Sequence, residues 1–191
     1  MTPRNVSEAV LDVTDGALAR RAALGDREAF AEIFHRHGEA MYRYAKGMLV
    51  GFPEDAEDVV QSALLKAWQH LPSYRGESSL KTWLFSITAN EVRTIRRRSR
   101  PVLLEHVQVV ERVDQNAVHP EQNLADRELW EVLDAALADL PPRQREVWIL
   151  RELDEMSYAD IATVLNVTPT TVRGQLHRAR RAVAQRMEDW R

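Results

Sequence analysis

Arg93, Arg96, Arg97, Arg98 and Arg100 fall within eight residues, and from Val92 to Leu104 no acid accompanies them. A second run, Ile161 to Arg186, again lacks acids and carries Arg173, His177, Arg178 and Arg181. Guanidinium groups at this density offer phosphate binding rather than bond-making, because each is a fixed charge with a fork of donors. Between the runs, from Glu105 to Asp139, nine acids face only Arg112 and Arg127. The net charge of −3 therefore hides two cationic patches, as expected of two nucleic-acid contacts on one chain. Groups for covalent catalysis are not assembled: the sequence has no cysteine, six dispersed histidines and no glycine-rich phosphate loop. His35 and His37 lie two apart and share no helical face. No catalytic residue, metal ligand or cofactor is assigned, and the chain is not read as an enzyme.

A third constellation is apolar. Pro53 to Leu71 places Ala56, Val59, Val60, Ala63, Leu64, Ala67 and Leu71 on one side of a helix, with Trp68 at the edge. Asp58, Gln61, Ser62, Leu65 and Gln69 fall opposite. Leu65 is the odd residue on that polar side. A stray surface leucine is common. A docking face with Leu65 at its centre and Asp58 and Gln61 at its rim is the sharper alternative.

The elements that position these groups are all helical. Hydrophobic residues make up 45% and charged residues 29%, the balance of a soluble globular protein. No secretory pattern or membrane-length apolar run occurs, so a cytoplasmic protein without membrane insertion is expected. Residues 1–13 are expected to form a disordered tail. A short helix follows from about Gly16 to Leu24, capped by Thr14 or Asp15 and stopped by Gly25. Asp26 caps a longer one, with Phe30, Ile33, Phe34, His37, Met41, Tyr44, Ala45 and Met48 at helical spacing. The turn-rich loop LPSYRGESS separates the Leu65 helix from a further one, capped by Ser78 or Ser79, that buries Leu80, Trp83, Leu84, Ile87 and Ile95. Pro101 is expected to end it. Residues 101–122 read as an extended linker between a domain at 14–100 and another at 123–191.

In the second domain, Leu129, Leu133, Ala136, Leu137 and Leu140 make one apolar stripe before Pro141-Pro142. The final stretch carries the strongest local signal. Ser157 with Asp160 forms a capping box, Asn166 suits a left-handed turn, and Thr168-Pro169 opens a last helix. Val172, Leu176, Ala179 and Val183 are its buried stripe, leaving Thr170, Arg173, Gly174, His177 and Arg178 outside. Helix, turn and basic helix is the helix-turn-helix pattern. Gly174 within it costs about 1 kcal/mol against alanine, which suggests close approach to DNA.

With these residues in view, the chain resembles an extracytoplasmic-function sigma factor, the compact bacterial class with sigma regions 2 and 4. EDAEDVVQSALLKAW, YRGESSLKTWLFSITAN and the arginines after it resemble region 2. LPPRQREVWILRELDEMSYADIATVLNVTPTTVRGQLHRARRAV resembles region 4. The resemblance implies that core RNA polymerase is the partner, gripped by its largest-subunit clamp coiled coil at Asp55, Asp58, Gln61, Ser62 and Leu65. The flap region of the second-largest subunit and an anti-sigma factor are further partners of the class. Ser73, Tyr74, Arg75, Ser78, Lys81, Trp83, Asn90, Arg93, Arg96 and Arg97 would contact the −10 element of promoter DNA. Ser157, Thr170, Thr171, Arg173, Gly174, His177 and Arg178 would face the −35 element. Asn166, Thr170, Gly174 and Gln175 depart from residues frequent in the class, which bears on the −35 sequence preferred. The implied function is promoter recognition, DNA melting and transcription initiation for a specialised regulon. A stand-alone helix-turn-helix regulator would explain residues 157–186 but leave the Leu65 face and the first arginine run without a role.

Overall fold

A computed structural model describes residues 13–105 and 124–188. The expected tail up to residue 12, and residues 106–123 of the expected linker, lie outside the described residues. Eight α-helices and no strand occur among those described, arranged as two helical domains.

Helix α1 (Asp15–Ala23) starts where the Thr14 hydroxyl accepts from the Ala17 amide. Gly25, at a φ of 92°, turns the chain, and Asp26 caps α2 (Arg27–Met48) by accepting from the Ala29 amide at 3.0 Å. Helix α3 (Asp55–His70) buries Ala56, Val59, Val60, Ala63 and Ala67. Small side chains on this face let it lie close to its neighbours, α2 and α4. Phe30 meets Trp68 edge-on at 5.0 Å, locking α2 to α3.

Helix α4 (Leu80–Glu105) is capped by Ser79, whose hydroxyl accepts from the Thr82 amide at 3.0 Å. It runs past Pro101, which the sequence reading made its end. A proline within a helix removes one backbone hydrogen bond, and here the turns on either side carry the helix past the gap. Leu80, Leu84, Phe85, Ala89 and Val92 fill the core of the first domain.

The second domain comprises α5 (Leu124–Asp139), α6 (Pro142–Trp148), α7 (Tyr158–Leu165) and α8 (Pro169–Glu188). Its apolar stripe on α5 is shorter than the sequence suggested: Leu129 is 40% exposed, while Ala136, Leu137 and Leu140 are buried. The buried Arg145 guanidinium donates to the carbonyls of Leu137, Ala138 and Leu140. It thereby satisfies backbone acceptors that the end of α5 leaves open. Burial pushes this guanidinium down to about 10, so it stays charged at neutral pH. Helices α7 and α8 form the expected helix-turn-helix: Ser157 accepts from the Asp160 amide, Asn166 is left-handed at φ 52°, and Thr168 accepts from the Thr171 amide.

The domains touch. Helix α7 packs on α4, while α6 and a π-helical turn, Ile149–Leu153, lie against α2. Gly47 permits that approach, since a Cβ there would stand 2.7 Å from Ile149 Cδ1.

Candidate nucleic-acid interface

Three surfaces collect the residues singled out in the sequence. The first is the outer side of α3. Asp58, Gln61, Ser62 and Leu65 are exposed and Asp55 is half-buried. Leu65 is 58% exposed with buried Ala63 and Ala67 on either side of it in the chain, so it is no part of the core. Residues 61 and 62 each lie three or four positions from both 58 and 65, so the four form one stripe. Lys66 ties the helix to α4 through Glu91 at 2.6 Å, fixing how the stripe is presented.

The second surface is the loop before α4 with the outer side of that helix. The Tyr74 hydroxyl donates to the Ser78 carbonyl at 2.6 Å, and its ring lies 5.1 Å from that of Trp83, tilted by 44°. Gly76 takes a φ of 72°, closing a turn that leaves Ser73 and Arg75 exposed. The loop is thus a small aromatic shelf held by its own hydrogen bonds. One turn after another along α4, exposed Asn90 accepts from Arg93 Nη1 at 2.8 Å, and Arg96 and Arg97 follow with Arg97 exposed.

Two members of this group face the other domain. Lys81 Nζ donates to the Asp154 carbonyl at 2.5 Å, and Arg93 Nη2 donates to Glu146 Oε1 at 3.2 Å. The sequence reading placed both on a free DNA surface and did not foresee these partners. It also missed Glu146 and Asp154 themselves. Glu146 stands beside buried Val147, and no local pattern says which distant cation an isolated acid will meet.

The third surface is the outer side of α8. Thr170, Thr171, Arg173, His177 and Arg178 are exposed, as is Ser157 at the start of α7, while Gly174 is half-buried. The Arg173 guanidinium stands 5.8 Å from the Tyr158 ring centre and Arg151 stands 5.4 Å from it. Tyr158 is a support for the exposed arginine that the sequence reading did not single out; its place directly after the cap residue was the available signal. At Gly174 a Cβ would come no nearer than 3.9 Å to Arg178 Nη1, an ordinary contact. No contact among the described residues requires glycine there.

Electrostatically, α8 presents cations without intervening acid, and the nearest acids are drawn to its flank: Glu152 pairs with Arg180 at 2.7 Å. Such a face suits a phosphate backbone with base edges between, read by a helix that fits the major groove. No described helix is long and apolar enough to cross a membrane.

Known proteins share this organisation. Residues 33–101 match the family description Sigma-70 region 2, and residues 130–183 match Sigma-70, region 4. The sigma-E factor of Escherichia coli K12 is 30% identical over 189 residues, covering 92% of this chain and 95% of that protein. SigW of Bacillus subtilis is 28% identical over 173 residues, covering 86% and 92%. Both are described as extracytoplasmic-function RNA polymerase sigma factors. Among solved structures, CnrH bound to the cytosolic domain of CnrY superposes with a TM-score of 0.69, 29% identity and coverage of 92% and 97%. Sigma factor RpoE of Bartonella quintana, bound to the anti-sigma factor NepR, gives 0.69, 28%, 83% and 96%.

Proposed function

The chain belongs to the extracytoplasmic-function sigma factors and directs transcription initiation, and from that premise we propose which surface performs each step. The α3 stripe of Asp55, Asp58, Gln61, Ser62 and Leu65 docks on the clamp coiled coil of core RNA polymerase. Leu65 is the apolar anchor and the polar residues are the rim. The observation that carries this is the exposure of Leu65 in the middle of an otherwise polar row. The protein acts in the cytoplasm, where the polymerase is.

The loop from Ser73 to Ser79, with Tyr74 against Trp83, receives a base displaced from the −10 element. Asn90, Arg93, Arg96 and Arg97 hold the backbone beside it, joined by Lys81. Opening duplex DNA costs about 1.4 kcal/mol per base-pair step in stacking, so capture of an unstacked base decides where melting starts. The work is done by binding energy, and no catalytic residue is required. Arg173, Gly174, His177 and Arg178 read the −35 element while Ser157, Thr170 and Thr171 contact its backbone. The first set belongs to residues 14–100 and the second to 123–191. A partner that restrains the protein is supported by CnrH and RpoE, whose structures hold CnrY and NepR.

The test is run-off transcription from genomic fragments with purified core polymerase, with and without this chain. Specific transcripts that depend on both components are expected. Tight sequence-specific duplex binding without polymerase, and no transcript with it, would instead support a stand-alone regulator.

A further inference from the structure

The head of α1 is held from α2 by a clasp that none of the promoter contacts above uses. Arg36 Nη1 donates to the Val13 carbonyl at 2.7 Å and to Asp15 Oδ1 at 3.3 Å, and its Nε donates to Glu32 Oε1 at 2.8 Å. His37 Nε2 stands 2.9 Å from Asp15 Oδ2, and a carboxylate can only accept, so that nitrogen is the donor. Successive helix positions point about 100° apart, so one carboxylate meets both side chains only by lying along the edge between them.

The fold of α1 does not by itself call for this clasp. Thr14 already caps the helix, and Leu18, Ala19 and Ala22 already bury its inner side. What Arg36 and His37 add is a fixed N-terminal end, where a helix of nine residues otherwise frays. That end meets the proposed capture loop. Helix α1 packs on the short 3-10 turn Leu71–Ser73, from which the loop to Ser79 departs. The turn is closed by the Tyr74 amide on the Leu71 carbonyl at 3.1 Å and by the Ser73 hydroxyl on the His70 carbonyl at 2.7 Å. Asp15 stands near enough for its charge to act on Tyr74: burial first, and Asp15 second, push the phenol above its ordinary range. Tyr74 thus stays a donor to the Ser78 carbonyl, with its ring beside Trp83.

We propose that Asp15, held by Arg36 and His37, is a positioning residue for base capture, setting the Leu71–Ser73 turn and the Tyr74 ring before DNA arrives. This rests on the reading of Ser73–Ser79 as the loop that receives a −10 base. A loop ordered beforehand loses less freedom on binding, and small misplacements of a binding group are costly. The contribution falls on the opening of duplex DNA, where capture of an unstacked base must offset lost stacking. DNA whose strands are already apart does not need it.

The test uses holoenzyme, assembled from core polymerase and the full chain, on a promoter found in the run-off experiment. The template is either the full duplex or the same DNA with mismatches that keep the −10 segment open. Asp15→Ala should lower initiation on the duplex about tenfold, while the open template is transcribed as by the parent. His37→Leu should act in the same direction. His37→Gln, whose amide can again donate to Asp15, should keep the parent's duplex rate. Tyr74→Ala is the reference for the loop itself. A duplex-specific loss in Tyr74→Ala but not in Asp15→Ala would overturn the positioning role and leave the capture loop standing. Intact duplex initiation in Tyr74→Ala would sink the reading of the loop, and the proposal with it. An equal loss on both templates in Asp15→Ala would make the clasp a folding contact only, which a melting curve would show as well.

Discussion

Tyr44 and Glu146, one from each domain, share a 2.9 Å hydrogen bond in a buried setting. Burial first, and the Glu146 charge second, push the phenol well above its ordinary range, so it remains a donor across neutral pH. Glu146 also takes Arg93 and Arg143, which makes it the most heavily used acid of the seam. Tyr44→Phe should therefore cost about 1–2 kcal/mol of stability in the full chain, since a buried acceptor loses its neutral donor without a change of shape. Urea unfolding followed by circular dichroism measures it. A variant as stable as the parent would show that the two arginines already satisfy the carboxylate.

Leu65→Asp should leave thermal melting unchanged, because the side chain is exposed and the buried stripe of Val60, Ala63 and Ala67 is untouched. Affinity for core polymerase should fall at least ~30-fold, which corresponds to ~2 kcal/mol at an interface anchor. Titration of labelled protein with core enzyme, beside a melting curve, checks both halves. Equal affinities would make Leu65 an ordinary surface leucine.

Arg173→Ala should erase base preference at one or two −35 positions, since a bidentate arginine–guanine pair is worth ~1–3 kcal/mol of discrimination. Core binding should be kept. Tyr158→Leu should weaken the same preference to a smaller degree by removing the ring beside the guanidinium. Transcription from a library of randomised −35 sequences reads both variants. Unchanged selectivity in Arg173→Ala would remove this residue from the reading set.

Arg145→Met should destabilise the second domain by about 2–4 kcal/mol. The apolar chain fills a similar space but leaves the carbonyls of Leu137, Ala138 and Leu140 without their charged donor. Because burial lowers the guanidinium only to about 10, the loss should be the same at pH 6 and pH 8, to the ~0.5 kcal/mol precision of such melts. Thermal melting at both values gives the answer. A loss that shrank markedly toward the higher pH would mean the guanidinium had given up its proton there.

Much of this protein was legible in the sequence because its local signals are strong. Thr14, Asp26, Ser79, Ser157 and Thr168 are helix caps whose side chains meet amides three residues on, a distance that sequence spacing specifies directly. Asn166 at its left-handed turn belongs with them. The outward placement of Leu65 follows from period alone, since seven buried or half-buried apolar neighbours on α3 fix which side is inside. The end of α4 was misjudged because a proline's cost depends on how well the adjoining turns are held. What the sequence could not contain is the pairing of Arg43 with Asp154, 111 positions away, or of Arg93 with Glu146, 53 positions away. A charge carries no address: which acid it meets is decided by how helices pack over distances where no residue spacing constrains it. Local hydrogen bonds and helical period determined the elements and their exposed faces, and only the packing of α4 on α7 and α2 on the π turn decided which of those faces are free.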